Sequence, residues 1–192
     1  MVTLTGVYRA GAFLLGKTFV YSSLLVILAI VSWEFIRPLQ MMVFRGDQLQ
    51  GTLIFLPFAL KVICAYFEGW RSLLLLAPGA LIANQVLWGL PLDQIGTWQA
   101  LAWSYSIAPL GFTLLAAFSG MRPGSLDAHR GWRVLALVGI FSAFVGQLGV
   151  HMSAFGGNVE INWRLLMTYA VGDLLGLVAL AFVLHYGRRL FR

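Results

Sequence analysis

Charge is what this chain has least of. Of its 192 residues only 10% are Asp, Glu, Lys or Arg, against roughly 25% in an average soluble domain. With seven acidic residues and three scattered histidines, His129, His151 and His185, a clustered metal or haem centre is not expected, and no cofactor is implied. The single cysteine, Cys64, forbids an intrachain disulfide and, flanked by apolar residues, reads as packing. The chain also lacks G-x-S-x-G, H-E-x-x-H, a Walker loop and C-x-x-C. Ser104, Ser106 and His151 are the nearest approach to a hydrolase set. Lys61 with Asp173 is the nearest approach to a retinal-type Schiff base and counterion, but six helices and a lysine on the second do not fit that chemistry. The expectation is a protein that is not an enzyme, with no catalytic residues.

What is abundant is apolar surface. Hydrophobic residues make up 60% of the chain, more than a soluble fold of this size can hide. Six stretches approach the roughly 20 residues that a helix needs to span about 30 Å of hydrocarbon. They are residues 18–36, 52–67, 73–90, 100–118, 134–155 and 165–186. Helices are favoured because lipid offers no partner to free backbone amides, and the alternation of a barrel strand is missing. The connections are short, the largest polar run being residues 119–132, and repeats are not evident. Residues 1–192 therefore read as one all-α integral membrane domain, a bundle of about six transmembrane helices. Arg9 and Lys17 precede the first span as they would a signal peptide, but no convincing cleavage site follows, so it reads as an uncleaved helix.

Orientation follows from the cations. Arg9, Lys17, Arg71, Arg122, Arg130, Arg133, Arg188, Arg189 and Arg192 fall on one side of a six-span weave, and Arg37, Arg45 and Arg164 on the other. This bias places both termini in the cytoplasm, and the expected location is the bacterial cytoplasmic (inner) membrane, multi-pass. The net charge of +6 is thereby read as topology. A nucleic-acid partner is not expected, since no basic face or aromatic platform accompanies it.

Polar residues inside the spans are costly and by default face the bundle interior. Counting from the outer ends, Lys61 on the second span lies roughly 13 Å deep and Asp173 on the sixth roughly 12 Å, at 1.5 Å per residue. Asn84 on the third span lies at similar depth, Gln147 on the fifth a little shallower, and His151 one turn above Gln147 on the same face. The inner halves carry almost nothing polar. This pattern suits a pocket opening outward. Two readings of Lys61 and Asp173 stay open at this point: an ion pair that fixes helix register, or a site that also touches a ligand. Gln147 with His151 is likewise an interhelical hydrogen bond or a binding element. Pro57, Pro78 and Pro109 are expected to kink their spans. Gly79-x-x-x-Ala83, Gly139-x-x-x-Ala143 and Ser142-x-x-x-Gly146 allow close helix approach. The seven tryptophans, mostly near span ends, read as interfacial anchors.

Residues 55–84, FLPFALKVICAYFEGWRSLLLLAPGALIAN, resemble the MASE1 type of bacterial membrane sensory domain. The likeness rests on Leu56, Pro57, Gly69, Trp70, Arg71, Gly79, Ala83 and Asn84. Gly172, Asp173 and Gly176 match the Gly-Asp-x-x-Gly helix that closes such domains. The resemblance covers about a quarter of the chain and implies a sensing or binding scaffold. MASE1-like domains usually have about eight helices and precede a kinase or diguanylate cyclase. Here the sequence ends six residues after the sixth span, so a sensory role is expected to need a separate membrane or cytoplasmic protein partner. The leading expectation is thus a MASE1-like module binding a small molecule through Lys61, Asn84, Asp173, Gln147 and His151. The alternatives are a solute-binding subunit of a vitamin-type importer and a structural or assembly subunit of a larger membrane complex.

Overall fold

A computed structural model describes residues 4–43, 52–119, 128–154 and 163–190. The described residues are helical apart from short connections, with no strand among them. Helix α1 (Leu4–Ile30) runs through a π-helical turn (Val31–Ile36) into α2 (Arg37–Val43). Helices α3 (Leu56–Glu68) and α4 (Ser72–Val86) are joined by the 3₁₀ turn Gly69–Arg71, and α5 (Ile95–Ser119), α6 (Ala128–Ala154) and α7 (Trp163–Leu190) complete the bundle. Four stretches are long and apolar enough to cross a membrane: Gly11–Val43, Ile95–Ser119, Gly131–Met152 and Trp163–Val183. Their outward faces are apolar, with Phe19, Ile27, Leu137, Val178 and Phe182 all exposed, as hydrocarbon contact requires.

The second and third expected spans come out short. With 13 and 15 residues, α3 and α4 extend about 20 and 22 Å at 1.5 Å per residue, less than the hydrocarbon thickness. Pro57 does not kink α3; it sits in its first turn, where its missing N–H costs nothing, and so begins it. Residues 52–55, expected to be helical, are not. At the other end α4 stops at Val86 rather than continuing to residue 90, and Gly89 turns the chain at φ +58° so that the Leu90 amide donates to the Asn84 carbonyl at 3.1 Å. Pro78 and Pro109 do lie inside helices.

Helix α3 tolerates its shortness because it is the centre of the bundle. It touches α1, α4, α5, α6 and α7, and nine of its thirteen residues are buried. A helix apolar all round and enclosed by others needs no lipid-facing stripe. Along its length it joins an apolar core of Phe58, Val62, Tyr66, Phe112, Val138 and Leu177. Cys64 packs among Leu25, Leu60, Leu75 and Leu76.

The residues before α3 need unusual support. Their backbone is not helical, so its amides must find other partners inside the bundle. The Leu53 amide donates to Gln40 Oε1 at 2.6 Å, the Phe55 amide to the Gly172 carbonyl at 3.0 Å, and the Leu56 amide to Ser32 Oγ at 3.1 Å. A Cβ at Gly172 would strike the Thr52 carbonyl, and one at Gly176 the Phe55 carbonyl. The Gly-Asp-x-x-Gly motif is therefore the seat on α7 for this segment.

Helix α4 is held to α1 by a second hydroxyl. Ser22 Oγ donates to the Leu75 carbonyl at 2.8 Å and accepts from the Gly79 amide at 3.1 Å, the two groups a regular helix would bond to each other. Gly79 lets the backbones meet there, since a Cβ would lie 2.5 Å from the Ser22 carbonyl oxygen. Gly139 faces Leu177, and Gly146 faces Ile107, so the small-residue pairs do serve close approach.

Gly176→Ala should lower the stability of the solubilised protein by about 1–3 kcal/mol, the cost of overpacking. Gly16→Ala, where a Cβ meets nothing within 4 Å, should be neutral in the same thermal melt. Equal melting temperatures for the two variants would refute the seat.

Candidate functional site

A cavity of about 370 Å³ opens where α4 ends and α5 begins. Lys61 on α3, Asn84 on α4, Ser104 and Tyr105 on α5 and Gln147 on α6 line it, with Gln94 and Thr97 at the α4–α5 connection. Phe55, Pro57, Trp88, Leu101 and Val150 supply apolar wall. The short α3 places Lys61 here: Pro57 starts the helix, and the lysine follows one turn later on the same face. Three of the five expected site residues, Lys61, Asn84 and Gln147, thus share one cavity.

The expected direct pairing of Lys61 with Asp173 is not what forms. Lys61 Nζ donates instead to Ser104 Oγ at 2.7 Å, and Gln147 Nε2 donates to Asp173 Oδ2 at 2.7 Å. Among the described residues the ion pair within 4 Å is Lys17 with Glu68, at 2.5 Å. Lys61 is 9% exposed and Asp173 3%. The lysine is flanked by aromatic faces, its Nζ 4.7 Å from the Tyr105 ring centre and 5.8 Å from that of Phe58, both within cation–π range.

Asp173 stands behind Gln147 rather than on the cavity wall, and His151, partly buried one turn above Gln147, lies outside the lining as well. Asn84 is buried and donates from Nδ2 to the Ala80 carbonyl at 2.7 Å. Trp88, expected as an interfacial anchor, faces the cavity and meets Phe55 with ring centres 6.0 Å apart. Trp103 stays exposed, and its Nε1 donates to the Val145 carbonyl at 3.0 Å over Gly149. Trp70, Trp98, Trp132 and Trp163 remain exposed, as anchors would. The polar run at 119–132 lies largely outside the described residues.

Sequence reasoning missed Ser104 as the lysine's partner, and Ser32 and Gln40 as backbone partners of the α3 approach. Ser32 and Gln40 carried a signal, since each is a polar side chain within a long apolar run. Ser104 could be placed at the right end of its span, but not on the face that meets α3. Among the described residues no group of three or more His, Cys, Asp or Glu is placed to hold a metal ion.

Compared with protein-family models, curated proteins and solved structures, this chain matches none.

If Gln147 and Asp173 form the direct contact, a double-mutant cycle of Gln147→Leu and Asp173→Leu should give a coupling of about 1–3 kcal/mol. The cycle of Lys61→Met with Asp173→Leu should give less. Chemical denaturation of the solubilised variants measures both, and the reverse ranking would show that Lys61 and Asp173 bond directly.

Proposed function

We propose that this protein is a small-molecule-binding module of the bacterial cytoplasmic membrane, similar in role to MASE1-type sensory domains, and that it acts through a separate protein partner. One observation carries the reading: polar side chains from α3, α4, α5 and α6 converge on one cavity in a bundle whose core is largely apolar. Polar groups are expensive in a membrane and are retained where they serve a structure or a ligand. Here Lys61, Asn84, Ser104 and Gln147 still border open space although Lys61 bonds to Ser104 and Gln147 to Asp173, and that space favours a ligand over a register lock alone. A cavity of 370 Å³ falls in the range of about 300–1,000 Å³ typical of small-molecule sites.

The proposed topology is six crossings with both termini in the cytoplasm. The contacts supporting it are antiparallel along the chain. The end of α3 meets the early part of α1 through Glu68 and Lys17, and its beginning meets the π-helical turn through Ser32. Gly111 of α5 faces Val138 of α6, and Asp173 of α7 meets Gln147 of α6. In this arrangement the cavity opens toward the periplasm, and the α3–α4 turn with Arg71 faces the cytoplasm, where cations are favoured.

Two measurements test the reading. A green fluorescent protein fused after Arg192 should fluoresce, and an alkaline phosphatase fused there should be inactive; the opposite pair would invert the topology. Gentle extraction from the native membrane followed by native mass spectrometry should yield a stoichiometric complex with a second protein. A chain that leaves the membrane alone would rule out a module that signals through a bound partner.

A further inference from the structure

The chemistry of the cavity wall says what kind of molecule it takes, on the premise above that the cavity is a ligand site. Lys61 presents three N–H donors, and its side chain makes one hydrogen bond, to Ser104. The remaining donors sit on a side chain that is 9% exposed and lines the cavity. Tyr105 and Phe58 cover its flanks with ring faces, which attract the charge but accept no conventional hydrogen bond. Buried donors left unmet, above all charged ones, are costly, and an anionic acceptor in the cavity would meet them. Asn84, on the same wall, has used one amide N–H on the Ala80 carbonyl and keeps the second.

The charge count narrows the anion. Among the described residues Lys61 is the one cation on the wall, with no arginine beside it. Asp173 stands one residue behind, with Gln147 between it and the cavity. A phosphate carrying close to two negative charges would meet a single lysine with a carboxylate nearby, whereas a singly charged carboxylate is matched. Cations are opposed by Lys61 itself. The rest of the wall, including Phe55, Pro57, Trp88 and Val150, asks for an apolar body.

We propose that the cavity binds a monocarboxylate with an apolar body, its carboxylate held by Lys61 and Asn84 and the part of its body next to the carboxylate against Trp88 and Phe55. Such a carboxylate reaches the cavity either as a free organic acid or as a fatty acid from the bilayer.

The full chain in lipid nanodiscs can be titrated with benzoate, phenylacetate and palmitate, with benzamide as the uncharged control, by thermal shift and tryptophan fluorescence. Saturable binding of benzoate or phenylacetate, with benzamide at least about tenfold weaker as expected for a charge-assisted contact, supports a free acid. Saturation by palmitate alone supports the same site with a lipid source. The fluorescence response should be diminished in Trp88→Phe, and Lys61→Gln should reduce carboxylate binding to the level of benzamide. Benzamide binding as tightly as benzoate would overturn the carboxylate while leaving the cavity a ligand site. Absence of saturable binding by any of the three acids would overturn it too. A missing protein partner in the extraction experiment would remove the signalling role and leave this titration unaffected. The comparison of benzoate with benzamide uses the unaltered protein, so it decides the matter even where Lys61→Gln fails to fold.

Discussion

Inside a bundle that faces hydrocarbon, every backbone amide must be met by the protein itself, and residues 52–55 are where that demand is hardest to meet. A chain that is not helical at this point leaves its amides without the partners a helix provides. Three separate elements supply them: Gln40 from α2, Ser32 from the π-helical turn, and the Gly172 carbonyl from α7. The widened π turn is itself a departure from regular helix, of a kind that often marks a functional position, and it presents the Ser32 hydroxyl to Leu56. Gly172 and Gly176 leave room for the carbonyls of Thr52 and Phe55. Because the segment is seated in this way, Pro57 can begin α3 within the bundle. The level of Lys61, and hence of the cavity, follows from that start.

The same need for internal partners explains the spacing of the two buried charges. A direct bond between Lys61 and Asp173 would satisfy both across the existing contact of α3 with α7. Instead each charge is met by a neutral side chain, Ser104 for the lysine and Gln147 for the carboxylate. The desolvation of each ion is a matter of several kcal/mol, which a single neutral hydrogen bond, worth about 1–3 kcal/mol to a charged group, does not fully offset. The layer is therefore electrostatically incomplete at Lys61, and the cavity beside the lysine is where completion is available.

Much of this was legible in the sequence, and the parts that were not share a cause. The four long helices follow from the length of their apolar runs, and counting depth along the six expected spans sets Lys61, Asn84 and Asp173 in one layer with Gln147 a little shallower. Hydropathy is blind to backbone conformation, so residues 52–55 and 87–90, apolar but not helical, were absorbed into their neighbouring spans. Depth also says nothing of rotation. Lys61 and Asp173 stand at matching heights, yet their side chains turn to Ser104 and Gln147, and His151 falls outside the lining although it shares a face with Gln147. Gly172 and Gly176 were visible as a motif, but their role requires knowing which backbone lies across them. Trp88 had the composition of an anchor, and only the turn at Gly89 brings it to the cavity.

The two ends of α3 are fastened unequally, and this bears on how a ligand would be felt elsewhere. At its start, backbone amides are bonded in place and two carbonyls lie against glycines of α7, so movement there would break buried hydrogen bonds or create collisions. At its finish Cys64, Ala65 and Tyr66 are packed in the core, and the polar links are the ion pair of Lys17 with Glu68 and the hydrogen bond from Trp70 Nε1 to Thr113 Oγ1 at 3.0 Å, with Trp70 and part of Lys17 exposed. Links of that kind contribute on the order of 1 kcal/mol or less. Gly69, at φ 58° and ψ −134°, is in a conformation open to glycine and few others, and it turns the chain from α3 toward α4. A ligand that draws Lys61 into the cavity pulls on α3 about one turn from its fixed end. The polar links at the far end, around Trp70 and Arg71, are the ones such a pull would strain at least cost.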